Sequence, residues 1–126
     1  SAQAMSQIGT LADTAVVLNG TTTVTAVLPD GITGDDLRKI AIDLKARAPQ
    51  SAVALISANE GKPVLVVAVS DAAKATGLKA GALVKIGSTI LGGGGGGKDD
   101  FAQGGGTDAS KSQAALAAIA DSISGK

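Results

Sequence analysis

Nine of the chain's 18 glycines fall within residues 92–106, which read Gly-Gly-Gly-Gly-Gly-Gly-Lys-Asp-Asp-Phe-Ala-Gln-Gly-Gly-Gly. Fixing the backbone of one residue costs about 1–2 kcal/mol, and glycine sits at the unfavourable end of that range. Six consecutive ordered glycines therefore cost on the order of 10 kcal/mol, as much as the net stability of a whole domain. Such a tract is either a disordered linker or a place where the backbone must bend tightly and come close to another surface. Its interruption by Lys98, Asp99, Asp100, Phe101, Ala102 and Gln103, with a helix-like segment beyond, favours the second outcome. A solvated linker has no use for a lone phenylalanine.

The other residues are patterned well enough to support one domain, the number expected for 126 residues. Phe101 is the single aromatic, so the core must be built from Ala, Val, Ile and Leu. Residues 15–28 read as two β-rich runs about Asn19-Gly20, a preferred pair for a type I′ hairpin. Pro29-Asp30-Gly31 is a turn. Residues 33–48 predict a helix, with Thr33 and Asp36 as its N-terminal box and Leu37, Ile40, Ala41, Leu44 and Ala48 as its apolar stripe. Asp35–Lys39, Lys39–Asp43 and Asp43–Arg47 are spaced as charge pairs on its outer side, and Pro49 stops it. Residues 52–57 and 63–69 are continuous apolar runs, expected as central strands covered on both faces. Asp71 is expected to cap a short turn of helix. Residues 79–91 predict a second helix, and Thr107 or Asp108 caps a third with Leu116, Ile119, Ala120 and Ile123 as its stripe. The fold class is α/β: a single mixed β-sheet flanked by helices, with the Gly-rich loop between the last two helices. Residues 1–12 are read as the end of a linker or helical segment, with residues left from cloning at its start, and 13–126 as the globular unit.

The absences narrow the chemistry. With no His and no Cys there is no Ser–His–Asp triad, no thiol nucleophile, no His- or Cys-ligated zinc and no disulfide. The longest apolar runs, residues 64–69 and 114–120, are far short of a membrane span, and no signal-peptide pattern opens the chain. A cytoplasmic protein without a membrane partner is expected. The zero net charge hides an uneven distribution. Residues 1–36 hold four acids and no base, residues 37–98 nine bases and three acids, and residues 99–126 four acids and two bases, giving −4, +6 and −2. A basic middle leading up to the glycine tract is either an ordinary solvated surface or a local polyanion-binding one.

Two nucleotide-binding motifs match the tract and fail on context. Gly92, Gly94 and Gly97 satisfy G-x-G-x-x-G only because six glycines do so trivially, and a helix rather than a strand precedes them. Residues 92–98 satisfy G-x-x-x-x-G-K, but Asp99 stands where a P-loop needs Ser or Thr for magnesium.

As a whole, the glycine tract, basic Lys98, short spacer, Ala102-Gln103 and following glycines resemble the C-terminal domain of the alanyl-tRNA synthetase family, within the DHH-associated domain superfamily. The similarity extends to the Asn19-Gly20 hairpin, the helix after Pro29-Asp30-Gly31 and the closing Ala-rich helix, covering about residues 8–123. The resemblance implies a non-catalytic module that binds tRNA(Ala) at the outer corner of the L, where the D and T loops meet. It would help the aminoacylation and editing domains share one tRNA. The implied partners are that tRNA, the other domains of the same synthetase and, in some members, a second copy. The parent would use ATP, magnesium and zinc in other domains, and this fragment no cofactor of its own. Two departures limit the carry-over: the His and Cys zinc ligands of the family's editing site are missing, and Lys98 stands where related phosphoesterases carry a His. No catalytic or metal-binding residue is therefore assigned.

On this reading the RNA-binding candidates are Gly92, Gly93, Gly94, Gly95, Gly96, Gly97, Lys98, Phe101, Gln103, Gly104 and Gly105. Lys79 and Lys85 join them if their helix faces the same way. A loop without side chains suits recognition through shape, 2′-hydroxyl and phosphate. Gly104, Gly105 and Gly106, just before a helix, are expected to offer free N–H groups to an anion. Phe101 either stacks on a base or anchors the loop in the core. Asp99 and Asp100 are awkward beside phosphate and would hydrogen-bond the loop backbone or exclude wrong contacts. The rival class is a protein-interaction module for dimerisation or interdomain contact.

Overall fold

Asn19 and Gly20 both take positive φ, 49° and 83°, and Leu18 lies opposite Thr21 across an antiparallel ladder. These are the torsions that a two-residue I′-type turn needs. The structure, a computed structural model, describes residues 6–126. The leading residues 1–5, read above as left from cloning, lie outside the described residues. The hairpin joins β1 (Val16–Leu18) to β2 (Thr21–Val27). Before it comes α1 (Ile8–Asp13), whose Ile8 is buried in the core. Residues 8–12, read above as the end of a linker or helix, are thus helical and packed.

Helix α2 (Gly34–Ala46) starts where Thr33 accepts a hydrogen bond from the Asp36 N–H at 3.1 Å, the capping contact expected from the sequence. Leu37, Ile40, Ala41 and Leu44 are buried along its stripe. Of the three charge pairs expected on its outer side, Asp43–Arg47 forms an ion pair, at 3.0 Å. Strands β3 (Ser51–Asn59) and β4 (Lys62–Val69) follow as an antiparallel pair. The short α3 (Asp71–Ala75) is capped by Ser70, one residue before the expected Asp71. The Ser70 hydroxyl accepts from Ala73 N–H and from Ser51 N–H, tying the helix to the start of β3. Helix α4 (Ala80–Ile90) comes next, and α5 (Ser112–Ile123) closes the chain after a single 3-10 turn capped by Asp108.

Between α4 and α5 the glycine region is not a loop. It forms two more strands, β5 (Gly95–Gly97) and β6 (Phe101–Gly105), and the sheet is six-stranded in the order β1-β2-β3-β4-β6-β5. The β2–β3 pair is parallel and the rest antiparallel, so the sheet is mixed. The two long apolar runs, β3 and β4, occupy the centre as expected. Their alternate residues feed two cores. Ala52, Ala54, Ile56, Leu65, Val67 and Val69 meet α4 and α5 on one face, while Val53, Leu55, Val66 and Ala68 meet α2 and α1 on the other. Burial of a Leu, Ile or Val side chain contributes about 1.5–3 kcal/mol, so this double coverage offsets the missing aromatics.

Candidate nucleic-acid interface

The glycine tract begins as a helix end. Gly92 takes φ +81°, donates to Thr89 C=O at 3.2 Å, and is followed by Gly93 donating to Ser88 C=O at 2.9 Å. This pair of bonds is a Schellman cap, which needs a left-handed residue at Gly92. The chain then runs out as β5 and returns as β6, with Gly95 opposite Gly104, Gly96 opposite Gln103 and Gly97 opposite Ala102. Strand β6 pairs in turn with β4, from Ala68–Phe101 to Val64–Gly105.

The hairpin tip is stapled to the fold by main-chain groups. Lys98 N–H donates to Phe101 C=O at 2.9 Å. The carbonyls of Lys98 and Asp99 accept from Gly81 and Ala80 N–H, at 3.1 and 2.8 Å, and thereby cap α4. Asp100 C=O accepts from Val69 N–H at 2.8 Å. Asp99 and Asp100 therefore tie the tip down through their backbone carbonyls. Among the described residues their carboxylates form no ion pair.

The glycines divide into two sets by what a side chain would meet. A Cβ at Gly97 would fall 2.7 Å from Ala102 Cα, and Gly93, Gly95, Gly104, Gly105 and Gly106 are likewise closed off by backbone or core atoms. At Gly94 and Gly96 nothing lies within 4 Å. The first set is required by the close approach of β5, β6 and the end of α4; the second is not required by the fold.

Faces follow from register. Gln103 reaches the start of α2, its Nε2 3.0 Å from the Cβ position of Gly34, and Gly96 stands beside it across the ladder. Phe101, two residues before Gln103, packs against the α2-side core, while Ala102 between them belongs to the α4-side core. Helix α4 lies against β4, β5 and β6, whereas α2 covers β3 and β4. The α2-side face of the hairpin is thus an open shelf at the edge of the sheet.

Two depressions flank Gly96 and Gly97. On the α4 side Lys79, Lys85 and Asp99 line one, with Gly81 and Ala82. On the α2 side Lys98, Asp100, Phe101 and Gln103 line the other, together with Arg38. Each holds two cations and one acid. Lys79 and Lys85 thus do share the glycine strand. Gly92, Gly93, Gly94, Gly95, Gly104 and Gly105 line neither depression, and all of these but Gly94 serve the packing described above. Of the N–H groups expected to be free at residues 104–106, Gly105 donates to Gly94 C=O and Gly106 to Pro63 C=O, both at 3.2 Å, and Gly104 sits inside the ladder between Leu65 and Gly95. The turn that follows is capped by its own Asp108, whose carboxyl is held below the ordinary 3.8 mainly by a hydrogen bond from Ser110. Phe101 is half-buried and carries Arg38 over its ring, guanidinium carbon 4.6 Å from the centroid. Sequence reading missed Arg38, because nothing local distinguishes it from other exposed helix cations; only sheet order brings it to residue 101.

Among the described residues no group of three or more His, Cys, Asp or Glu could hold a metal ion, and no helix is long and apolar enough to cross a membrane.

Comparison with known proteins agrees with this architecture. The chain is 56% identical over 91 residues to the alanine–tRNA ligase of Arthrobacter sp. (strain FB24), which covers 71% of this chain and 10% of that protein. It is 39% identical over 128 residues to the alanine–tRNA ligase of Thermobifida fusca (strain YX), covering 99% of this chain and 14% of that one. The chain thus spans about a tenth of the length of the curated relatives it matches. Its fold is similar to the C-Ala domain of alanyl-tRNA synthetase from Aquifex aeolicus, with a TM-score of 0.81, 26% identity, and coverage of 87% of this chain and 97% of that one. RecJ from Thermus thermophilus shares the fold at a TM-score of 0.71 and 15% identity, over 99% of this chain and 17% of that one. The DHHA1 domain model matches residues 19–125. By that match, and by its likeness to the C-terminal domain of alanyl-tRNA synthetase, the chain belongs to the DHHA1 domain family.

Proposed function

We propose that this chain is the non-catalytic tRNA-binding module of an alanine–tRNA ligase, holding the outer corner of tRNA(Ala) where the D and T loops meet. Its partners are that tRNA and the other domains of the synthetase, which carry the ATP, magnesium and zinc chemistry; the setting is the cytoplasm. The observation that supports this reading is the bare position Gly96, with Gly94 two residues before it. The fold leaves both positions free to carry a side chain, yet both are bare, and Gly96 lies on an exposed edge strand flanked by Lys79, Lys85 and Lys98. A surface that is smooth where nothing internal demands it, with cations beside it, suits a structured RNA approached through sugar and phosphate.

The test is titration of tRNA(Ala) against the 126-residue chain at several salt concentrations, with a plain RNA duplex as control. tRNA(Ala) should bind more tightly than the duplex. Lys98→Ala should reduce the slope of log K against log salt by about 0.7–0.9, one phosphate contact. Undetectable binding at low salt, or equal affinity for the duplex, refutes corner recognition.

One observation favours a protein contact instead. The edge strand β1 exposes Val16 at 54% and Val17 at 69%, and unpaired edges with apolar side chains invite strand pairing. On that reading Lys98→Ala leaves RNA binding unchanged and sedimentation shows concentration-dependent association.

A further inference from the structure

Helix α2 takes no part in the glycine region by sequence, yet it supplies the wall of the open shelf. Arg38 is exposed, lines the same depression as Gly96, Gly97, Lys98 and Gln103, and forms no ion pair with any described residue. Its guanidinium rests on Phe101, and that ring is fixed because it packs on the α2-side core. A guanidinium laid on an aromatic face keeps its in-plane N–H fork free, and its placement costs less side-chain entropy when a phosphate arrives. Asp100 lines the depression too, so Arg38 and Lys98 together leave this side at one positive charge. The α4 side, with Lys79, Lys85 and Asp99, carries the same surplus.

We propose that Arg38 is a phosphate-binding residue of the RNA site, positioned by Phe101, so that the nucleic acid straddles the β5 edge with cations on both faces of the sheet. This rests on the tRNA reading above and deepens it. Phe101 is then a positioning residue, since the ring face that could stack on a base is occupied by the guanidinium. Gly96, which lines both depressions and has nothing within 4 Å of its Cβ position, leaves the RNA backbone room to lie between the two cationic flanks.

The experiment is the same titration with Arg38→Ala, Arg38→Lys and Phe101→Leu. Loss of one phosphate contact removes about 0.7–0.9 from the salt slope, which is about tenfold in affinity at 50 mM salt and roughly fourfold at 200 mM. Arg38→Ala should show this pattern with an unchanged Tm. Arg38→Lys should keep the wild-type slope, since the charge remains, but bind about threefold more weakly because the planar stack is lost. Phe101→Leu should weaken binding while leaving the slope within half a contact of wild type. If wild-type chain binds tRNA(Ala) and Arg38→Ala binds it with the same slope, the Arg38 assignment falls and the tRNA reading stands. If the wild-type chain does not bind, both fall. Weaker binding of Arg38→Ala accompanied by a fall in Tm of more than about 5 °C overturns the assignment in favour of a packing role.

Discussion

Adjacent residues Gly96 and Gly97 should respond oppositely to the same methyl group. At Gly97 an added Cβ meets Ala102 Cα at 2.7 Å and both Ala102 Cβ and Phe101 carbonyl oxygen at 2.8 Å, and the backbone sits at φ +154°. Overpacking costs about 1–3 kcal/mol and strain at a glycine-type torsion about 1–3 more. Because β5 is an edge strand and can shift by a few tenths of an ångström, the expected loss for Gly97→Ala is about 2–4 kcal/mol. For a chain of this size that is roughly a 10 °C fall in Tm. At Gly96 the same Cβ meets nothing within 4 Å. There Ala should be neutral or stabilising by up to about 1 kcal/mol, because it lowers the entropy of the unfolded chain. Urea unfolding followed by far-UV circular dichroism measures both. If a tRNA approaches this edge closely, Gly96→Ala should lose affinity about tenfold while remaining folded. Equal stabilities for the two variants would refute the steric division of the tract. A stable Gly96→Ala with wild-type affinity would refute the idea that RNA needs the bare position.

Three further outcomes test the fold. Ser88 Oγ is buried without a hydrogen-bond partner among the described residues, so Ser88→Ala should stabilise the chain by about 1 kcal/mol in the same urea assay. Ser70→Ala removes the acceptor of both Ser51 and Ala73 N–H, leaving two buried donors unpaired, and should cost about 2 kcal/mol. The Asp108 carboxyl, held below its ordinary value by Ser110, should titrate below 3.8 by NMR. A lowered folded pKa means that its contribution is present above the unfolded value and lost as pH falls through the folded one, so the turn before α5 should loosen only in acid. Asp108→Asn should abolish that acid-dependent loosening while retaining the cap.

Local chemistry determined much of this protein without help from tertiary structure. Asn19-Gly20 needs positive φ at both residues, Thr33 can cap only a helix that starts beside it, and two long Val/Leu/Ile runs have nowhere to go but the centre of a sheet. The glycine-rich motif was distinctive enough to indicate the family. What it could not convey was its own conformation. Glycine carries no side chain and hence no period, so residues 95–97 and 104–105 gave no strand signal; they are strands because β4 offers an edge and because the bare backbones can close on one another. The tertiary structure alone decided which glycines the fold needs, and it used up the N–H groups expected to meet an anion. It also brought Arg38 onto Phe101, 63 residues away, because α2 and β6 are neighbours only after β4 has entered between β3 and β6.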